Sequence, residues 1–158
     1  PFDDWNDDGW DEVATRVFDI NLRGPLTVTR AFMPGMVERG GGRMVLIGSI
    51  AGRFGGLRGA PHYAMAKGGI HSFVHWLARR GAPHNVLVNA VAPAPVETPM
   101  TAPMFENPEF RQFVMDRIPM GRMGKISDVT GSVIFLASPA SELITGASLT
   151  IDGGWTVV

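Results

Sequence analysis

Three short apolar runs constrain this chain more than anything else in it: residues 43–48, 86–91 and 147–151. None alternates strictly between apolar and polar positions. A strand with one wet face alternates, whereas a parallel strand covered on both faces does not. Longer segments with helical spacing separate the runs. Residues 10–37 read as a first helix, with Asp7 and Asp8 as candidate N-caps and Gly24-Pro25 as the expected kink. Residues 63–80 read as a second, stopped by Gly81 and Pro83. Residues 127–137 read as a third, with Ser127 as its N-cap and Pro139 beyond its end. Helix and strand in this alternation give an α/β fold, a doubly wound parallel sheet between two helical layers.

Three strands make a small sheet for that design, and the chain opens at Pro1 without an initiator methionine. The expectation is a single but incomplete Rossmann-like domain over residues 1–158, a piece of something longer. With 45% hydrophobic and 18% charged residues the composition is globular rather than disordered. A net charge of −1 without any basic run argues against nucleic acid as a partner. Cysteine is absent, which removes disulfides, thiol nucleophiles and cysteine metal sites. No apolar run has the length of a membrane span, no signal-peptide pattern opens the chain, and a cytoplasmic address is expected. Residues 93–124 are rich in proline and methionine and read as a long connection with a short helix near 108–115. Such connections at the carboxyl edge of a parallel sheet are where these folds bind ligands.

One tyrosine gives that edge its chemistry. Tyr63 is the only tyrosine, and it stands four residues before Lys67 in Pro61-His62-Tyr63-Ala64-Met65-Ala66-Lys67. On a helix, positions i and i+4 share a face, so phenol and ammonium point into one site. A free phenol, with a pKa of about 10, is a poor base at neutral pH, and a fixed positive charge nearby favours the phenolate. That pairing suits proton transfer coupled to alcohol–carbonyl interconversion. Fourteen residues earlier, Ser49 ends the run Val45-Leu46-Ile47-Gly48 at the sheet edge. Asn21 interrupts the first helix. Asn89-Ala90-Val91-Ala92-Pro93-Ala94-Pro95-Val96-Glu97-Thr98 follows the second strand, and Ile151-Asp152-Gly153-Gly154-Trp155 closes the chain.

In order and spacing, these motifs resemble the C-terminal part of a short-chain dehydrogenase/reductase, most of all the beta-ketoacyl-acyl-carrier-protein reductase-like group. The resemblance covers essentially the whole chain and implies an NAD(P)-dependent oxidoreductase acting on a small-molecule carbonyl or secondary alcohol. Tyr63 matches the general acid/base, Lys67 the lysine that tunes it and holds the nicotinamide ribose, and Ser49 the serine that orients the substrate oxygen. Asn21 matches the helix-kink asparagine whose backbone helps hold a water leading to the lysine. Pro93, Val96 and Thr98 match the turn at the nicotinamide end, and residues 100–123 the variable substrate lid. A 3-oxoacyl thioester is the leading substrate class and a homotetramer through the helices from Trp10 and Tyr63 the implied assembly. The cofactor stays open between NAD and NADP.

Two departures stand against direct transfer. The turn reads Pro93-Ala94 where the family usually has Pro-Gly, and the glycine-rich phosphate loop is not among these residues. The alternative reading is therefore a catalytically inert fragment, at most a binding or oligomerisation remnant. An epimerase or dehydratase using the same Tyr-Lys pair is a further possibility. Metal is not expected. Asp4, Asn6, Asp8 and Gly9 resemble the start of a calcium loop, but its twelfth position is Thr15 rather than glutamate. His71 and His75 have clamp spacing without a third ligand, which points to helix packing.

Overall fold

The computed structural model describes residues 9–56 and 60–157. The expected order appears as helices α1 (Trp10–Phe18), α2 (Gly24–Glu38), α3 (Ala51–Phe54), α4 (Pro61–Gly81), α5 (Ala102–Phe105), α6 (Pro108–Met115) and α7 (Ile126–Ala137), with strands β1 (Gly42–Ile47), β2 (Val86–Pro93) and β3 (Ser148–Ile151). The strands form one parallel sheet in the order β1-β2-β3. Gly42 pairs with Val86 through to Ile47 with Val91, and Ala90 with Ser148 through to Pro93 with Ile151. Among the described residues no helix is long and apolar enough to cross a membrane.

The central strand explains the missing alternation. Residues Val86 to Ala92 of β2 are all buried. One face, through Val86, Val88 and Ala90, joins Leu46 of β1 and Ile70, Val74, Leu77 and Ala78 of α4, with Met33, Met36 and Val37 of α2 at the margin. The alternate residues turn to the other face, where α7 crosses all three strands. One of them is Asn89, polar and 1% exposed. Its Nδ2 donates to the Ile144 carbonyl at 2.8 Å, and its Oδ1 accepts from the Ala147 N–H at 3.0 Å. Thr145 Oγ1 accepts from Val88 N–H, and Gly146 N–H donates to the Val88 carbonyl. The Ile144-Thr145-Gly146 motif thus stitches β2 to the approach of β3.

Two helix ends differ from expectation. The segment 10–37 is broken not at Gly24-Pro25 but just before it, by a π-helical turn over Asp19–Arg23. Pro25 has no N–H to return to the carbonyl four residues back, which is that of Asn21. The chain absorbs the defect in the wider turn, closed by Gly24 N–H donating to the Asp19 carbonyl. Ser127 lies inside α7 rather than capping it. The N-cap is Lys125, in extended conformation, because the Asp128 carboxylate reaches back to accept its backbone N–H at 2.8 Å. Asp7 and Asp8, and the calcium-like Asp4 and Asn6, lie outside the described residues; α1 opens at Gly9 with φ 89°.

Replacing Asn89 by Ala strands two partly buried backbone groups. The expected loss is about 2 to 3 kcal/mol, read as a lower urea midpoint at unchanged slope in the whole protein that carries this chain.

Candidate functional site

Ser49 lies just beyond β1, half-buried, in a turn whose position is set by glycine. Gly48 N–H donates to the Val91 carbonyl at 2.8 Å and Ile50 N–H to the Pro93 carbonyl at 3.1 Å, so the turn continues the ladder to β2. The Ser49 hydroxyl oxygen accepts from Ala51 N–H at 3.1 Å. With that acceptor position used, the hydroxyl keeps its own proton free to donate. Next comes α3, which touches α4 with no room between. A Cβ on Gly52 would lie 2.4 Å from the Lys67 carbonyl carbon and 2.6 Å from Gly68 N. Only glycine permits this approach, and it seats the Ser49 turn directly on the stretch of α4 that carries Lys67.

Tyr63 and Lys67 occupy successive turns of α4, as their spacing predicts. Pro61 takes the first helical position, where its missing N–H costs no hydrogen bond. Tyr63 is 37% exposed, and Lys67 is only 8% exposed. The lysine Nζ lies 5.7 Å from the centroid of the tyrosine ring and donates to the Ile47 carbonyl at 2.9 Å. Burial lowers the Lys67 pKa from the ordinary lysine value. The ammonium is thus desolvated, held by one carbonyl, and has two further N–H donors to offer.

Asn21 approaches the same helix through a second glycine contact. A Cβ on Gly69 would lie 2.7 Å from Leu22 Cδ2. The π-helical turn therefore rests on α4 immediately after Lys67. The Asn21 side chain donates to the Val17 carbonyl at 3.0 Å, so its amide braces the bend while its backbone carbonyl lacks the usual helical partner.

Pro93 ends β2, and Ala94 N–H donates to the Ile151 carbonyl at 3.0 Å. Ala94 does not have positive φ, so alanine in place of the usual glycine carries no backbone strain. Val96 forms a parallel bridge with Gly124, closing the neck of residues 97–123. Thr98 is organised by Thr101, which the sequence reading did not single out: Thr101 Oγ1 donates to the Val96 carbonyl at 2.6 Å and stands 3.0 Å from both Thr98 N and Thr98 Oγ1. The segment beyond has a core of its own, in which Phe105, Val114, Ile118 and Met123 are buried. Its methionines divide: Met123 packs, whereas Met100, Met104 and Met120 are exposed. The neck is tied by Arg122, which forks onto Asp128 at 2.7 and 3.0 Å. That guanidinium, with the Lys125 N–H, holds the Asp128 carboxyl at about 2.

Asp152 organises the closing turn after β3. Burial alone would raise its pKa, but hydrogen bonds from Thr156 and Gly154 outweigh it and hold the carboxylate below its ordinary range. Both ring nitrogens of His71 have hydrogen-bond partners. Its Nδ1 lies 2.9 Å from Ser148 Oγ and its Nε2 3.0 Å from the Ser49 carbonyl oxygen, while His75 is exposed. No group of three metal-binding side chains occurs among the described residues. A shallow cleft lined by Phe18, Leu22 and Phe73 runs along the helices and includes neither Ser49, Tyr63 nor Lys67. The glycine contacts and the His71 bonds escaped the sequence reading. Their signal was the i+8 spacing of His71 from Tyr63 and the pair Gly68-Gly69 directly after Lys67.

Fold and site together define an α/β protein with a serine, a tyrosine and a buried lysine at the carboxyl edge of a parallel sheet. The family described as enoyl-(acyl carrier protein) reductase matches residues 1–156. The chain belongs to that family, within the short-chain dehydrogenase/reductase superfamily. It is 40% identical over 148 residues to the galactitol 2-dehydrogenase (L-tagatose-forming) of Cereibacter sphaeroides, covering 93% of this chain and 58% of that protein. It is also 40% identical over 138 residues to the acetoacetyl-CoA reductase of Allochromatium vinosum, covering 87% and 55%. The crystal structure of a gluconate 5-dehydrogenase from Burkholderia cenocepacia in complex with NADP and tartrate superposes with a TM-score of 0.86 at 28% identity, covering 93% of this chain and 57% of that one. The chain therefore spans less than two thirds of the length of these relatives.

A Gly52→Ala exchange sets a methyl group against the Lys67–Gly68 backbone. Overpacking of this kind costs about 1–3 kcal/mol. Thermal melting of the whole protein is expected to show that loss, because the Ser49 turn is lifted from α4.

Proposed function

We propose that the whole protein carrying this chain is an NAD- or NADP-dependent oxidoreductase that interconverts a carbonyl and a secondary alcohol, with 3-oxoacyl thioesters as the leading substrate class. Residues 1–158 form part of one Rossmann-like domain in this reading. The observation that carries it is the buried Lys67 ammonium beside the half-open Tyr63 ring, reached by the Ser49 turn. The thioester preference is supported by the likeness to an acetoacetyl-CoA reductase.

The residues present suit the nicotinamide end of such a cofactor. Lys67 has spare donors for a ribose hydroxyl, and Pro93, Val96 and Thr98 stand at the carboxyl end of β2, where a doubly wound sheet receives its ligand. When bound, the cofactor supplies or accepts a hydride at the substrate carbon. In the reducing direction, the Ser49 hydroxyl donates a hydrogen bond to the substrate carbonyl oxygen and fixes its place. Tyr63 gives its phenolic proton to that oxygen as negative charge develops there. The Lys67 charge stabilises the tyrosinate left behind, and the Asn21 carbonyl anchors a water on the path that returns the proton.

We further assign a homotetramer. Its support is the row of exposed apolar side chains on α1, the π turn and α2: Val13, Ile20, Leu26, Val28 and Phe32. Light scattering of the whole protein is expected to give a mass four times that of one chain, and a monomer would contradict the assignment. A cytoplasmic location belongs to the same reading, since the reaction draws on a pool of nicotinamide dinucleotide.

Turnover is followed as NADH or NADPH oxidation with a 3-oxoacyl thioester. Tyr63→Phe is expected to lower kcat about 10²–10⁴-fold with the fold intact, and full activity in that variant would contradict the assignment. An inert whole protein would favour the fragment reading. Lys67→Met separates function from stability. A buried lysine with a lowered pKa binds fewer protons folded than unfolded, so wild-type stability rises as pH climbs from the folded value towards about 10.4. Lys67→Met is expected to lose that rise, to melt no lower than wild type at neutral pH, and to turn over poorly.

A further inference from the structure

The α4 face that presents Tyr63 and Lys67 continues one turn further to His71, at i+8, and the mechanism above makes no use of it. Its imidazole is spent at both ends. A backbone carbonyl only accepts, so the 3.0 Å contact with the Ser49 oxygen requires a proton on Nε2. In the neutral ring Nδ1 then accepts from the Ser148 hydroxyl at 2.9 Å. The Ser49 oxygen also accepts from Gly52 N–H at 3.2 Å, so both of its lone pairs are engaged. The ring reaches that carbonyl only across a glycine: a Cβ on Gly48 would lie 2.9 Å from His71 Cε1. Ser148 is held in turn, because it pairs with Ala90 in the sheet and its carbonyl accepts from the Arg53 guanidinium of α3 at 2.9 Å.

Lys67 to Ile47 and His71 to Ser49 are thus two bonds from successive turns of one helix to alternate carbonyls at the end of β1. The first fixes the lysine against the strand. The second fixes the peptide from which the serine hydroxyl projects.

We infer that His71 is a positioning residue: its Nε2–H locks the Ser49 peptide, and through it the Ser49 hydroxyl, in register with Tyr63 and Lys67, with Ser148 setting the ring's orientation. The inference rests on the role proposed for Ser49.

The test uses the whole protein. His71→Phe keeps a ring of similar size and removes both hydrogen bonds. A 1 Å misplacement of a reacting group costs on the order of 10²-fold in rate. His71→Phe is therefore expected to lower kcat by about that factor with KM little changed and the melting transition intact. His71→Gln retains a donor near the Nε2 position and is expected to recover most of kcat, while Ser148→Ala falls between. A His71→Phe variant with wild-type kcat per folded molecule overturns the inference, as does a His71→Gln variant no better than His71→Phe. A second readout does not need turnover. In the wild type, nitrogen-15 NMR is expected to find a proton on His71 Nε2 that is slow to exchange; a ring protonated on Nδ1 alone overturns the lock. If the whole protein reduces no carbonyl, the proposed reaction fails, and the NMR result alone decides the His71 contact.

Discussion

The site depends on one contact in which two backbones touch without side chains between them. Gly52 of α3 lies against the Lys67–Gly68 peptide of α4 so closely that a single methyl group would enter the van der Waals radius of three backbone atoms. Gly69 makes a similar opening for Leu22 of the π-helical turn. These approaches draw together three pieces of chain that are remote in sequence: the end of β1 with Ser49, the first turns of α4 with Tyr63 and Lys67, and the bend with Asn21. The apolar core under α4 supplies most of the cohesion. It does not select this register, since a hydrophobic face tolerates sliding and a backbone contact does not.

Lys67 shows what the arrangement costs. An ammonium at 8% exposure with one carbonyl partner destabilises the fold at neutral pH. Burial keeps the charge beside the tyrosine ring and out of water, where solvent and salt weaken the field of an exposed lysine. The segment after β2 follows a different logic. It has a separate aromatic core, a hydrogen-bonded neck at Val96 and Thr101, and an Arg122–Asp128 tie at its far end. It is therefore a folded unit set on the sheet edge rather than a loose loop, and its exposed methionines offer a deformable apolar surface.

Local patterns were legible in the residues, and tertiary approaches were not. The three strands could be read because burial on both faces leaves an apolar run, and the structure moves their ends by only one or two residues. The helix expected near 108–115 forms as α6, opened by Asn107, whose side chain accepts from the Glu109 and Phe110 N–H groups. Both Gly24-Pro25 and Asn21 read as breaks in the first helix, and they are one defect: a proline's missing N–H acts on the carbonyl four residues earlier, which is that of Asn21. Ser127 was read as a cap because serine often is one, whereas the carboxylate three residues after Lys125 competes better for that N–H. The pair Gly68-Gly69 after Lys67 is a signal in one dimension, but the neighbours that it and Gly52 admit are not. A glycine within a helix reads as a weak helix former until the neighbour it admits is known. The spacing of His71 from His75 points to helix packing, and its hydrogen-bond partners lie 22 and 77 residues away, beyond the reach of a local pattern.

The claim that Ser49, Tyr63 and Lys67 form one working site is tested most directly by a crystal structure of the whole protein with a nicotinamide dinucleotide and an unreactive carbonyl analogue. The account predicts a single ligand oxygen within about 2.6–3.2 Å of both the Ser49 hydroxyl and the Tyr63 phenol, with the Lys67 ammonium on the cofactor ribose. A ligand oxygen bound by other groups, with Tyr63 turned to solvent, would contradict it.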